Sequence, residues 1–329
     1  MKTSAEILGI VNDYIEHLPY ERKPYSLYEP VRYVLSLGGK RIRPVLMMLS
    51  YELFADDSTS IIDAAVALET YHNYTLLHDD LMDNAPMRRG KATVHTRWNA
   101  NTAILSGDTM LVMAYERMAK CKPEMLKPVI DLFTETALQI GEGQQYDMEF
   151  ETRDDVVEAE YIEMIRLKTS VLLACATKMG ALLAGATPQQ AGQLYRFGEL
   201  LGLAFQLQDD YLDVYGDPKV FGKAIGGDIL CNKKTYMLIN AINTADEAQR
   251  KELAHWLSLT ENSIDEATRK DNVAAVTRLY NEMAIDKMAE NKINQYFDEC
   301  RKVLDQLDVD PQRKAELIAY TNQMMKRNR

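Results

Sequence analysis

The sequence predicts an all-α fold, a large helical bundle forming a single domain over residues 1–329, and three observations carry that expectation. Leu, Ala, Met, Glu and Lys, all good helix formers, fill most of the long segments. Apolar residues recur at helical spacing, whereas the β-branched alternation that marks strands is nearly absent. Proline and glycine are sparse, at 10 and 16 residues, and 47% of the chain is hydrophobic, enough to bury a sizeable core.

Taken in order, Thr3 or Ser4 is placed to cap a first helix with Ile7, Leu8, Val11, Tyr14, Ile15 and Leu18 at helical spacing, closed by Pro19. Pro24 and Pro30 bracket the link to the next segment. The run Gly38-Gly39-Lys40-Arg41-Ile42-Arg43-Pro44 is a glycine turn loaded with three cations, ahead of a helix carrying Val45, Leu46, Met48 and Leu49. Glycines let the backbone approach an anion that Lys and Arg can clamp, while the plainer reading is a solvated loop. Residues 63–82 read as one long helix. Asn84-Ala85-Pro86 breaks it and presents Arg88-Arg89-Gly90-Lys91, a second cationic turn. Helices follow over 104–118, 126–150, 161–183 and 191–214. The second of these carries Gln144 and Asp147, polar groups that suit a wet cavity better than a dry core. Gly216-Asp217-Pro218 ends the last, and Gly222-Lys223 opens a loop reaching Gly226-Gly227-Asp228 and Lys233-Lys234-Thr235. Amphipathic helices over 247–257, 273–288 and 291–307 complete the same bundle.

Two stretches carry the chemistry. His78-Asp79-Asp80-Leu81-Met82-Asp83 ends the long helix, and Gln208-Asp209-Asp210-Tyr211-Leu212-Asp213 repeats its Asp-Asp-x-x-Asp pattern far downstream. On a helix the first and last Asp of each set stand at i and i+4, so both project from one face. Such close like charges repel unless cations sit among them, and hard oxygen donors without a His or Cys cluster indicate Mg²⁺. One acidic triplet is usually a solvated face. These two have apolar flanks, including Leu77, Leu81, Leu207 and Leu212, which a solvated face lacks. Two such clusters facing each other across a bundle could hold a diphosphate between shared metals.

The bulk charge excludes other classes. A net charge of −11 argues against a nucleic-acid binder, whose affinity rests on clustered Lys and Arg. Cys121, Cys175, Cys231 and Cys300 lie far apart and offer neither a zinc knuckle nor a disulfide framework. The N-terminus has no apolar signal core, and no run of about 18 apolar residues occurs, so no transmembrane segment and a cytoplasmic location are expected.

Taken together, Gly38 to Pro44, Asp79 to Gly90, Lys168-Thr169 and Phe205 to Lys233 resemble the head-to-tail trans-prenyl diphosphate synthases. The resemblance implies a helical bundle of the isoprenoid synthase type with a deep central cavity, a homodimer, and Mg²⁺, normally three ions. It implies that Asp79, Asp83 and Asp209 are metal ligands and that Asp80, Asp210 and Asp213 shape the outer shell. Arg88, Lys168, Lys223 and Lys233 match the clamps on an allylic diphosphate, and Lys40, Arg43, His72 and Arg89 those on isopentenyl diphosphate. Thr169 and Gln206, with Lys168, stand where the family stabilises an allylic cation, and Gln144 and Asp147 line the same cavity. Cys231 departs from the pattern, since many relatives carry an acidic residue there, and this puts a ligand role at that position in doubt.

Two other functions compete. A class I terpene cyclase would share the fold and Mg²⁺ but needs no second diphosphate site at Lys40, Arg43 and Arg89. A noncatalytic partner subunit would be expected to have lost acidic residues. Product length is read from the helix before Asp79: Tyr74 lies about 7.5 Å and Tyr71 about 12 Å up the axis. The resemblance to synthases with a lone aromatic at this site, where Thr75 supplies no second ring, implies a geranylgeranyl (C20) product, with farnesyl (C15) next.

Overall fold

The computed structural model describes residues 1–217, 225–259 and 264–326. The chain divides into two compact units. One comprises Met1–Glu135, Cys175–Tyr195 and Leu307–Ile318, the other Thr136–Ala174, Arg196–Gln306 and Ala319–Arg329.

In the first unit, α1 (Ser4–Glu16) begins on Thr3, whose hydroxyl accepts the Glu6 amide while the Glu6 carboxylate accepts the Thr3 amide. Pro30 does not lie in a link: it sits inside α2 (Tyr25–Ser36), where its missing N–H costs one bond to the Ser26 carbonyl. α3 (Ile42–Glu52) follows the glycine turn. α4 (Ile62–Met82) is buried without interruption from Ala64 to Tyr71, as a helix surrounded by others must be. α6 (Ala100–Met118) packs along α4, and Gly107 admits the ring of His78, whose Nε2 would lie 2.2 Å from a Cβ there. Between them come β1 (Met87–Arg88), β2 (Lys91–Ala92) and the short α5 (Val94–Arg97). The second cationic turn is therefore the tip of a two-stranded hairpin, with Arg89 at φ 53° and Gly90 at φ 72°, the pair of positive values a tight hairpin turn requires.

α7 (Pro123–Glu151), α9 (Val171–Leu183) and α10 (Pro188–Tyr215) contribute residues to both units. The second unit also holds α8 (Glu158–Ile165) and the short α11 (Gly227–Leu230), followed by α12 (Tyr236–Thr244), α13 (Glu247–Leu257), α14 (Glu266–Glu282) and α15 (Ile285–Gln306). α16 (Pro311–Met325), which likewise contributes residues to both units, ends the described helices. The core of the second unit gathers Phe150, Tyr161, Leu203, Leu207, Met237, Ile239, Tyr280 and Ile285. Several boundaries differ from the sequence expectation, and two of the differences have a local cause. The helix expected over 161–183 is split by a π turn at Arg166–Ser170. The helix expected over 273–288 ends at Glu282, because Ala284 adopts φ 57° in the role that glycine usually fills after a helix.

Candidate active site

In the first unit, the last turn of α4 carries the first acidic set. Asp80 is buried, Asp79 half-buried and Asp83 exposed, so the i and i+4 carboxylates point toward water and the middle one inward. Arg88 of the hairpin donates through Nε to both Asp80 oxygens at 2.8 Å and brings a second nitrogen to 3.7 Å from Asp79. Burial pushes the Asp80 carboxyl up, and the Arg88 charge opposes this. The hairpin is braced at its base, where the Tyr33 hydroxyl donates to the Ala92 carbonyl at 2.7 Å and Thr93 to the Ala85 carbonyl at 2.7 Å.

Arg89 goes the other way. Its guanidinium lies against Gly39, where a Cβ would stand 2.9 Å from it, and donates to the Gly38 carbonyl. Gly39 at φ 131° is thus needed both for the turn and for the approach of the arginine. The two cationic turns of the sequence therefore meet in one place, with Lys40 exposed and Arg43 half-buried beside them. His72 lies in their field: burial, then Arg43, Arg89, Arg88 and Arg41 hold its imidazole well below the usual histidine range. The ring is neutral at pH 7.

In the second unit, Lys168 and Thr169 occupy the π turn. Gly143 of α7 and Gly202 of α10 press on it, a Cβ at Gly143 falling 2.4 Å from the Lys168 amide nitrogen and one at Gly202 2.5 Å from Ser170 Cα. A widened turn is a common device where a helix must aim functional groups. Lys168 Nζ donates to Asp147 at 2.6 Å, and Lys233 Nζ stands 3.8 Å from the same oxygen. Burial opposes the Asp147 charge, but the two lysines outweigh it and lower its pKa. Gln144 is half-buried, one turn before Asp147. Thr169 donates to the Gln206 carbonyl oxygen at 3.0 Å, Gln206 donates to Asp210 at 3.1 Å, and the buried Tyr161 hydroxyl donates to the other Asp210 oxygen. These donors favour a charged Asp210, yet burial and the neighbouring Asp228 dominate and push its carboxyl up. Asp213 accepts the Asp228 amide at 2.9 Å at the start of α11. Asp209 is half-buried on α10. Lys223 lies outside the described residues.

Asp80, Asp210 and Asp213 are each committed to a protein donor, Arg88, Gln206 with Tyr161, and the Asp228 amide respectively. Among the described residues no three His, Cys, Asp or Glu groups converge on a closed metal cage. Mg²⁺ usually takes one or two carboxylates and completes its shell with water and phosphate oxygens, and the half-buried Asp79 with the exposed Asp83 at the end of α4 are chemically suited to it.

The positions expected to set chain length sit on α4, beside a group of aromatic rings. Tyr71 is buried, 5.1 Å edge-on to Phe133 and 5.5 Å from Tyr74, which stacks edge-on to His78 at 4.8 Å. Tyr115 meets Phe133 from the other side at 4.8 Å. Thr75 turns its hydroxyl back to the His72 carbonyl. Sequence reasoning passed over three residues here. Tyr161 reads only as core until Asp210 is seen beside it, Phe133 as one apolar position among many, and Arg41 as a third exposed cation, although it is 4% exposed.

Residues 24–276 match the polyprenyl synthetase family model. The chain is 38% identical over 314 residues to the geranylgeranyl diphosphate synthase of Methanosarcina mazei, covering 95% of this chain and 93% of that protein. It is also 38% identical to the geranylgeranyl pyrophosphate synthase of Geoglobus acetivorans, over 94% of this chain and 95% of that one. A crystal structure of a geranylgeranyl pyrophosphate synthase superposes with a TM-score of 0.95 at 40% identity, covering both chains completely. With the acidic sets, the paired cationic turns and the lysine-bearing π turn all within the matched span, the chain belongs to the polyprenyl synthetase family and is a prenyltransferase.

Proposed function

We propose that the protein condenses isopentenyl diphosphate head-to-tail with an allylic diphosphate to give a short all-trans prenyl diphosphate, geranylgeranyl diphosphate (C20) first and farnesyl diphosphate (C15) next. The observation that carries this reading is the parting of the hairpin arginines: Arg88 serves the acidic set while Arg89 joins the glycine turn, Arg43 and His72. Two adjacent anion sites suit two diphosphate substrates, whereas a cyclase needs one. The names of the relatives given above support the C20 choice.

In this reading Asp79, Asp83 and Asp209 would hold Mg²⁺, three ions in all, which would supply positive charge beside the departing diphosphate. Arg88, Lys168, Lys223 and Lys233 clamp that group, and Asp147 spaces Lys168 and Lys233. Breaking the allylic C–O bond leaves a cation. The Thr169 and Gln206 oxygens, fixed by their mutual hydrogen bond and by Asp210, offer it negative dipole ends. The double bond of isopentenyl diphosphate, held by Lys40, Arg43, His72 and Arg89, supplies two electrons for the new C–C bond. A proton then leaves the adjacent carbon, with diphosphate as the base. Tyr71 and Tyr74 stop the growing tail.

We further propose a homodimer acting in the cytoplasm as one prenyl synthase domain. Exposed apolar side chains support pairing: Leu105 and Val112 of α6 are 59% and 66% exposed, and Leu138 of α7 66%. No helix among the described residues is long and apolar enough to cross a membrane.

Metal dependence tests the reading. Asp79→Ala and Asp209→Ala are expected to lose about a hundredfold or more in turnover, the cost of several kcal/mol of charge stabilisation, and EDTA to abolish activity until Mg²⁺ is restored. Near-normal turnover in EDTA, or in either variant, overturns it.

A further inference from the structure

Arg41 stands between Lys40 and Arg43 in the cationic turn, yet its surroundings are those of a core residue. Its side chain is 2% exposed, and its three donor nitrogens reach three different helices. Nε donates to Asn12 of α1 at 3.2 Å, Nη2 to the Leu35 carbonyl of α2 at 2.6 Å, and Nη1 to Glu69 of α4 at 2.7 Å. Glu69 is buried as well, and its Oε1 also accepts from Asn73 at 3.0 Å. The backbone at Arg41 is left-handed, φ 46° and ψ 37°, a conformation costly for any residue with a Cβ and kept only where the surroundings over-determine it. A planar guanidinium with fixed donor directions can hold three acceptors at once, and an ammonium on a flexible stem cannot match that fork.

We infer that Arg41, locked by Glu69, is a positioning residue for the second diphosphate site, an assignment that rests on the reading of Lys40, Arg43, His72 and Arg89 given above. It touches no substrate. It fixes the one stretch of backbone from which Lys40 and Arg43 both project and which includes Gly39, the seat of the Arg89 guanidinium. The buried Glu69 carboxylate supplies the counter-charge that lets these cations crowd together, and its attraction is felt as far as Arg89. The sequence places a third cation in the turn; the structure spends it on holding the other two.

The test separates geometry from charge. Arg41→Lys keeps the charge and loses the fork. Arg41→Met combined with Glu69→Gln removes the buried pair together, so neither charge is stranded and the variant has a route to folding if Arg41→Lys fails. Michaelis constants for both substrates, kcat and the thermal midpoint are measured for these two and for Lys40→Ala. The expected result is a rise of about tenfold in KM for isopentenyl diphosphate, equivalent to about 1.4 kcal/mol, in Arg41→Lys and in the double variant. KM for the allylic substrate and kcat stay within about twofold. An unchanged KM for isopentenyl diphosphate in both variants, beside a raised one in Lys40→Ala, overturns the positioning role and leaves the site reading standing. Equal rises for both substrates, tracking a fall in thermal midpoint, overturn it in favour of a purely structural pair. An unchanged value in Lys40→Ala removes the site reading and the positioning role with it.

Discussion

His72 is kept neutral by burial and four arginines, and that state has a thermodynamic signature. Below about pH 6.5 an unfolded histidine takes up a proton that the folded one refuses, so the unfolded chain binds more protons and stability falls as the pH drops. Above that pH the two states bind equally and the effect vanishes. In His72→Gln the penalty is gone. Its unfolding free energy should therefore gain on the parent by up to about 1.4 kcal/mol for each unit below pH 6.5, as measured by denaturant unfolding between pH 7.5 and 5. Parallel profiles would show that His72 titrates normally. At this scale the sequence was informative where residues declare themselves by type and repetition, as the aspartates of the two sets do. It was silent on Arg41, because Asn12, Leu35 and Glu69 come from three separate helices and nothing local signals their convergence.

α4 does two things along its length. Its first turns are packed on all sides, and its last turn delivers Asp79 and Asp83 to the surface. Between them Tyr71 and Tyr74 face an aromatic group completed by Phe133 and Tyr115. If these rings form the floor for the growing tail, Tyr74→Ala, alone or with Tyr71→Ala, should lengthen the product by one or more isoprene units. Mass analysis of the products would show it. Tyr71 is 3% exposed, so its removal costs about 3–5 kcal/mol and folding of the double variant must be verified first. Unchanged length in a folded, active double variant places the floor elsewhere. The helices themselves were legible, since apolar spacing located α4 to within a residue and 247–257 matched α13 at both ends. The π turn was not, because Arg166–Ser170 contains no Gly or Pro and is imposed by the close approach of Gly143 and Gly202. Nor was the hairpin, whose two-residue strands are too short to show alternation.

For the whole molecule, the net charge of −11 contrasts with local clusters of cations at the positions proposed above to hold diphosphates. Lys40, Arg43 and Arg89 gather in the first unit, and Lys168 and Lys233 around Asp147 in the second. The fold class and family were legible because ordered motifs recur from Gly38 to Lys233, all inside the span 24–276 that matches the family model. The division into two compact units was not, since α7, α9 and α10 run through both without any change of composition at the boundary. The central claim is that two diphosphates are joined, and one measurement tests it most directly: the purified protein is given Mg²⁺ and an allylic diphosphate, with and without isopentenyl diphosphate, and the products are weighed by mass spectrometry. The account predicts a C20 prenyl diphosphate only when isopentenyl diphosphate is present. A cyclised hydrocarbon formed without it, or no chain-lengthened product with it, would contradict the account.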